Sequence, residues 1–157
     1  MEQTEGTFLV SESDAETAIL TDVATNQVHP LGEQPDPPLE VGEVIAGVLV
    51  AQPPTETIYA FDSIDNRRTI PVEHSGESPT QQEREIAADQ PVGELTRQPR
   101  AGDGELHVLT VPDDQTDQAV QDVLDDPQTV ARAARLDVDR VEIRAAEGVL
   151  SVRYLPE

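Results

Sequence analysis

Residues 65–90, "DNRRTIPVEHSGESPTQQEREIAADQ", decide how the chain divides. They carry Arg67 and Arg68, the only adjacent basic pair in a chain of net charge −22. "RRTIPVE" reads as a short strand, and Pro71, which lacks an N–H, places it at a sheet edge. A polar connection follows. Ser78-Pro79-Thr80-Gln81 then opens a helix, with serine as N-cap, proline at the first helical position and glutamine three residues after the cap. The helix is expected to run to about Ala88 and to stop before Pro91. The stretch is therefore a seam between a β half and a mixed half.

Upstream of the seam the pattern is β. "GTFLVS" (6–11) and "TAILTDV" (17–23) are rich in β-branched residues and separated by polar ones. "TNQ" turns the chain into "VHPL", and the prolines of "QPDPP" (34–38) require a loop. "VGEVIAGVLVAQ" (41–52) is the strongest strand, with Gly47 permitting a bend or bulge. In "TIYAFDSI" (57–64), Tyr59 and Phe61 share one face, while Ile58, Ala60 and Ile64 share the other. Five or six short strands in about seventy residues predict a small antiparallel β-barrel of OB-like size over residues 1–73.

Downstream, residues 74–91 form the connecting segment with its helix, and residues 92–157 form an α+β domain of β-β-α-α-β-β type. "GELTRQ" and "GELHVLTVP" are strands about a turn at "PRAGDG". "DDQTDQAVQDVLDD" (113–126) gathers Ala119, Val120, Val123 and Leu124 on one helical face, with its first aspartates at the positive end of the helix dipole. Asp126-Pro127 starts a second helix through about Arg135, burying Val130, Ala133 and Ala134.

The chain ends in a hairpin whose register can be argued. A two-residue turn at Glu147-Gly148 sets Ala145 opposite Leu150, Ile143 opposite Val152 and Val141 opposite Tyr154. Glu142 then faces Arg153 on the other side. A one-residue slip would set polar against apolar throughout.

Charge bears on setting and function. There are 32 acids and ten basic residues, and every basic residue is arginine. Residues 1–73 hold 14 acids and 2 arginines, and residues 74–157 hold 18 and 8, so the excess covers the whole surface rather than a tail. At about 1 M salt the Debye length is about 3 Å and such charges scarcely repel; in dilute buffer they would loosen the compact state. A lysine-free acidic surface therefore predicts a salt-accumulating cytoplasm. Cysteine is absent, which removes disulfides, thiolate metal sites and cysteine nucleophiles. "MEQTEGTFLV" lacks a basic n-region and a long apolar core, so no signal peptide is read, and "VIAGVLVA" is too short to span a bilayer. A soluble cytoplasmic protein without membrane contact is expected.

Chemical motifs are sparse. His29, His74 and His107 are scattered without metal-ligand spacing. The Asp pairs 113/114 and 125/126 lack the glycine and twelfth-position glutamate of an EF-hand and suit helix caps. "AGDGE" (101–105) is a turn rather than a phosphate cradle, and no G-x-S-x-G occurs. No catalytic, metal or cofactor-binding residues are assigned, and no cofactor is expected.

Three arginine groups remain: Arg140 and Arg144 with Arg153 around Glu142, Arg132 with Arg135, and Arg67 and Arg68 with Arg84. The favoured reading of Arg67, Arg68 and Arg84 is a clasp that holds the halves together by bidentate carboxylate bonds. The alternative makes Arg67 and Arg68, with Tyr59 and Phe61 as stacking platforms, an RNA-binding barrel face. Counterion release, the main source of phosphate affinity, weakens steeply with salt and disfavours it.

Taken together, "GTFLV", "RRTIPVE", "PTQQEREIAADQPVGELTR", "GELHVLTVP" and "VLSVRYLP" resemble a family of small acidic haloarchaeal proteins classed as a domain of unknown function. The resemblance covers nearly the whole chain. It implies the salt-rich cytoplasmic setting and no activity, cofactor or site residue. The expected function is a non-catalytic binding or adaptor protein with an unidentified protein partner. An RNA-binding accessory protein is the alternative, and an enzyme with a site between the halves is a weaker one.

Overall fold

A computed structural model of the chain describes residues 3–99 and 104–156. The turn expected around Arg100 to Asp103 lies outside the described residues. The chain forms two compact units. One gathers the residues up to Ile70 with Val130–Arg135, and the other gathers Pro71–Thr129 with the residues from Leu136 onward.

The first unit is a closed barrel of β1 (Gln3–Ser13), β2 (Ala18–Asp22), β3 (Val28–Leu31), β4 (Glu43–Gln52) and β5 (Ile58–Thr69). The order around the barrel is β1-β2-β3-β5-β4, with β4 closing on β1. Closure removes the exposed edges that an open five-stranded sheet would otherwise present. All neighbours run antiparallel except β3 and β5, which meet in parallel at Leu31 and Tyr59. The core holds Phe8, Leu20, Ile45 and Leu49, none of them exposed. Each such side chain contributes roughly 1.5–3 kcal/mol of burial. The register of β4 on β5 shifts at Ala46/Gly47, so the bulge foreseen at Gly47 is present. A Cβ at that glycine would collide with the Ser63 backbone carbonyl.

The expected break between a 57–64 strand and a 67–73 strand is overturned, because β5 runs unbroken from Ile58 to Thr69. Only "VEH" stands apart, as β6 (Val72–His74), and it belongs to the second sheet rather than the barrel. The cause is Pro71. It cannot donate to the ladder that β5 has been following, and its carbonyl instead accepts the Val141 N–H at 2.9 Å.

The second unit is a five-stranded sheet in the order β6-β9-β10-β8-β7. Its other strands are β7 (Leu95–Pro99), β8 (Glu105–Thr110), β9 (Arg140–Ala146) and β10 (Val149–Leu155). β6 runs parallel to β9, and the other pairs are antiparallel. The β9–β10 hairpin has the expected register: Ala145 on Leu150, Ile143 on Val152, Val141 on Tyr154 and Glu142 on Arg153. Gly148 takes φ +81° in its turn, a conformation that favours glycine.

Helix α1 (Gln81–Ala88) starts two residues later than the Ser78 cap predicts. Its N-cap is Thr80, whose hydroxyl accepts the Glu83 N–H at 3.2 Å while Glu83 Oε1 accepts the Thr80 N–H at 2.8 Å. The reciprocal pair satisfies two helix-end donors. α2 (Thr116–Asp125) follows a 3₁₀ turn at Asp113–Gln115, and α3 (Pro127–Arg135) begins at the expected proline. On α3, Ala131, Ala133 and Ala134 are buried, while Val130 is half-buried.

Candidate functional site

Arg67, on β5, is held within the barrel. Its Nε donates to Glu43 Oε2 at 3.0 Å and its Nη2 to Glu43 Oε1 at 2.9 Å, a bidentate fork. Nη1 donates to the Pro37 carbonyl at 2.6 Å and Nη2 also to that of Pro38 at 3.2 Å. Pro37 and Pro38 lie in a loop outside any ladder, so their carbonyls need donors from elsewhere and take these. Arg67 thereby fastens the proline-rich loop to the wall of the barrel. The guanidinium holds the Glu43 carboxyl below its ordinary value, and the Glu40 N–H adds to the effect against the opposing push of burial. Arg68 follows on the same strand opposite Val44. Arg84 Nε donates to the Pro79 carbonyl at 3.2 Å.

Tyr59 and Phe61 are half-buried and pack against the barrel core. Tyr59 meets the His29 ring edge-on at 4.8 Å, His29 meets Phe8 at 5.5 Å, and Phe8 meets Phe61 at 6.4 Å. These edge-to-face contacts form a continuous aromatic group in the barrel. His29 was not foreseen as its member. The elements that bind oligonucleotides in OB-type barrels are the face of strands 2 and 3 with the loops 1–2 and 4–5. Here those segments read "AILTD", "VHPL", "DAET" and "PPTET", and residues 1–66 contain no lysine or arginine.

In the second unit the expected group of Arg140, Glu142, Arg144 and Arg153 is assembled. Arg144 Nε lies 2.6 Å from Glu142 Oε1, Arg153 Nη1 lies 3.6 Å from the same oxygen, and Arg140 Nη1 lies 3.5 Å from Oε2. Burial pushes the Glu142 carboxyl up, but Arg144 (by hydrogen bond and charge), Arg153 and Arg140 outweigh it, and the net shift is down. Two members were missed by sequence reasoning. Glu77 Oε2 pairs with Arg144 Nη2 at 2.9 Å, and Glu83 Oε2, on a residue 1% exposed, lies 3.7 Å from Arg153 Nε. The signal for Glu83 was available, since Thr80-Gln81-Gln82-Glu83 is a capping-box pattern. These charges neutralise one another and leave little for a ligand.

An open groove with an apolar floor lies elsewhere in this unit. Leu109 and Val111 with Pro112 and Gly93 form its base, and α2 supplies Ala119 and Val123 as one wall. Its volume is about 310 Å³. Helical spacing brings Gln115, Gln118 and Asp122 to the rim on the same wall. Beside it, Val92 is 61% exposed and Leu95, paired directly with Leu109, is 40% exposed. Val28, Val41, Ile58 and Ile64 are exposed as well, but Val92 and Leu95 adjoin an apolar groove, and it is contiguous apolar surface that marks an interaction site. Sequence reading placed "GELTR" in a strand but had no means of telling that its leucine would be left uncovered.

Residues 4–145 match the model described as "Family of unknown function (DUF5812)". The chain belongs to that family. No curated protein matches the chain significantly, and neither does any solved structure. Membership therefore brings no residue roles, and the site rests on its own geometry. A groove of this make-up offers an apolar seat with polar side chains on its rim.

Proposed function

We propose that this chain is a non-catalytic binding or adaptor protein of a haloarchaeal, salt-rich cytoplasm, and that it engages a protein partner through the groove between α2 and β8. The observation that carries the reading is the exposure of Val92 and Leu95 beside the floor formed by Leu109 and Val111. The setting is supported by the net charge of −22 with ten arginines and no lysine. In concentrated salt, charge steering fades within about 3 Å, whereas excluded salts can strengthen apolar burial. An apolar groove is the kind of site that still works there.

RNA binding at the barrel has less support, because Arg67 is held by Glu43, Pro37 and Pro38, and Tyr59 and Phe61 pack against the core. The deciding experiment is capture of partners from native lysate at multi-molar potassium chloride, with and without nuclease, using wild type and the doubly substituted V92D/L95D chain. Nuclease-insensitive recovery of one stoichiometric protein that V92D/L95D loses is the expected result. Recovery that nuclease abolishes would replace this reading with the RNA one.

A further inference from the structure

The described part of the second sheet ends at β7, and the phase of its ladder shows which backbone groups remain open. The Thr110 N–H donates to the Glu94 carbonyl at 3.2 Å, which makes 94/110 a hydrogen-bonded position. Antiparallel positions alternate, so Thr96 and Gln98 turn their backbone groups toward Val108 and Leu106. Leu95 and Arg97 then turn both N–H and C=O away from β8, and Pro99 turns out a carbonyl alone. Both Leu95 and Arg97 are exposed. An edge with outward donors and acceptors is a template for one more strand.

We propose that the partner contributes an extended segment that adds to β7 as a sixth strand of this sheet. The inference rests on the groove reading above and names how the groove is used. The side chains of Leu95 and Arg97 lie on the same face as Leu109, since Leu95 pairs with Leu109 and side chains alternate. An added strand would set alternate side chains on that face beside Leu95, next to the open side of the groove. The α2 wall selects among them: Thr116 to Asp126 holds Asp117, Asp122, Asp125 and Asp126 and no basic residue. The complementary segment therefore carries an apolar residue beside Leu95 and a basic residue toward Asp122. A second copy of this chain is disfavoured in the register centred on Arg97, which sets arginine against arginine and Leu95 against Pro99, a residue with no N–H to give. The register centred on Thr96 has neither fault, and the concentration dependence of amide protection separates it from a partner's strand.

The test selects binders from a displayed library of random peptides at multi-molar potassium chloride, followed by amide hydrogen exchange on the full chain. The amides of Leu95 and Arg97 should exchange freely alone and become protected when a selected peptide is bound. Selected sequences should alternate and carry an apolar and a basic residue on one face. The variant Arg97→Pro removes one outward N–H from a position that gives none to β8. It should keep the wild-type melting temperature and lose about tenfold in peptide affinity, the worth of one such hydrogen bond. Peptides that V92D/L95D rejects but that leave both amides unprotected would overturn strand addition while sparing the groove. No selectable peptide, or protection that grows with protein concentration alone, would overturn the proposal outright. The latter would point to self-pairing.

Discussion

Arg67 and Glu43 are joined through one edge of the guanidinium, Nε and Nη2, and both oxygens of the carboxylate, at 3.0 and 2.9 Å, across the β4–β5 wall of the barrel. The same arginine reaches the carbonyls of Pro37 and Pro38. One side chain thus fixes a strand pair and the loop that has no ladder of its own. Arg67→Ala should destabilise the barrel by about 2–3 kcal/mol, the range for a charge-assisted bond whose buried partner is left unpaired. Arg67→Lys should recover less than half, because an ammonium cannot make the fork. Chemical denaturation of wild type, R67A, E43A and the double variant in one salt concentration measures the coupling. A coupling near zero would show that the bond carries nothing.

Acid stability follows from the same pair and from Glu142. Both carboxyls sit below their ordinary value of 4.5 in the folded chain. The unfolded chain then binds more protons as pH falls, so the stability these groups contribute is complete above that value. It is lost as pH drops through their folded values. In molar potassium chloride, where self-repulsion is screened, denaturation midpoints measured downward from neutral pH should stay level and then fall, and E43Q should fall less steeply over that acid range. A slope unchanged by E43Q would remove Glu43 from the account.

The capping box at Thr80 and Glu83 separates local from tertiary contributions. Thr80→Ala removes the hydroxyl acceptor alone and should cost about 1 kcal/mol. Glu83→Ala removes the reciprocal acceptor together with the carboxylate near Arg153, and it should cost more. The order E83A below T80A in melting temperature checks this. The reverse order would mean that the helix end alone matters.

Gly47 and Gly42 test the reading of the barrel wall. A methyl group at Gly47 collides with the Ser63 backbone carbonyl, which cannot rotate away. Gly42 has open space around it but φ of +94°. Gly47→Ala should cost about 3 kcal/mol, by the overpacking scale, and Gly42→Ala about 1 kcal/mol, the penalty of a left-handed conformation. Comparable melting temperatures for the two would contradict the collision.

Salt should act on the whole molecule. With net charge −22, self-repulsion loosens the fold in dilute buffer, and raising potassium chloride into the molar range should raise the melting temperature markedly. Thermal melts across a salt series give the curve. A flat response would argue against the salt-rich setting.

Features governed by near neighbours are legible in the sequence itself. The β9–β10 register was readable because a two-residue turn and a period of two leave one arrangement in which Ile143 meets Val152 and Glu142 meets Arg153. The Gly47 bulge, the proline start of α3 and the grouping of Arg140, Glu142, Arg144 and Arg153 were readable for the same local reasons. The Thr80–Glu83 box was equally local, but Ser78 offered a competing cap one residue ahead of a proline.

The seam at residues 65–90 marks where sequence alone gives out. Composition and periodicity determined that a β half ends and a mixed half begins there. They did not determine that the chain changes sheets at Pro71, that β6 pairs with β9 some seventy residues later, or that Arg67 takes Glu43. Each is a choice among distant partners that look alike in sequence: any open strand edge can accept "VEH", and many carboxylates could take the arginine. The same holds for β7. Its alternation predicts a strand, but only the sheet order leaves Leu95 and Arg97 facing outward. Local rules set the period and the caps, and tertiary packing decides which edges and charges are already occupied.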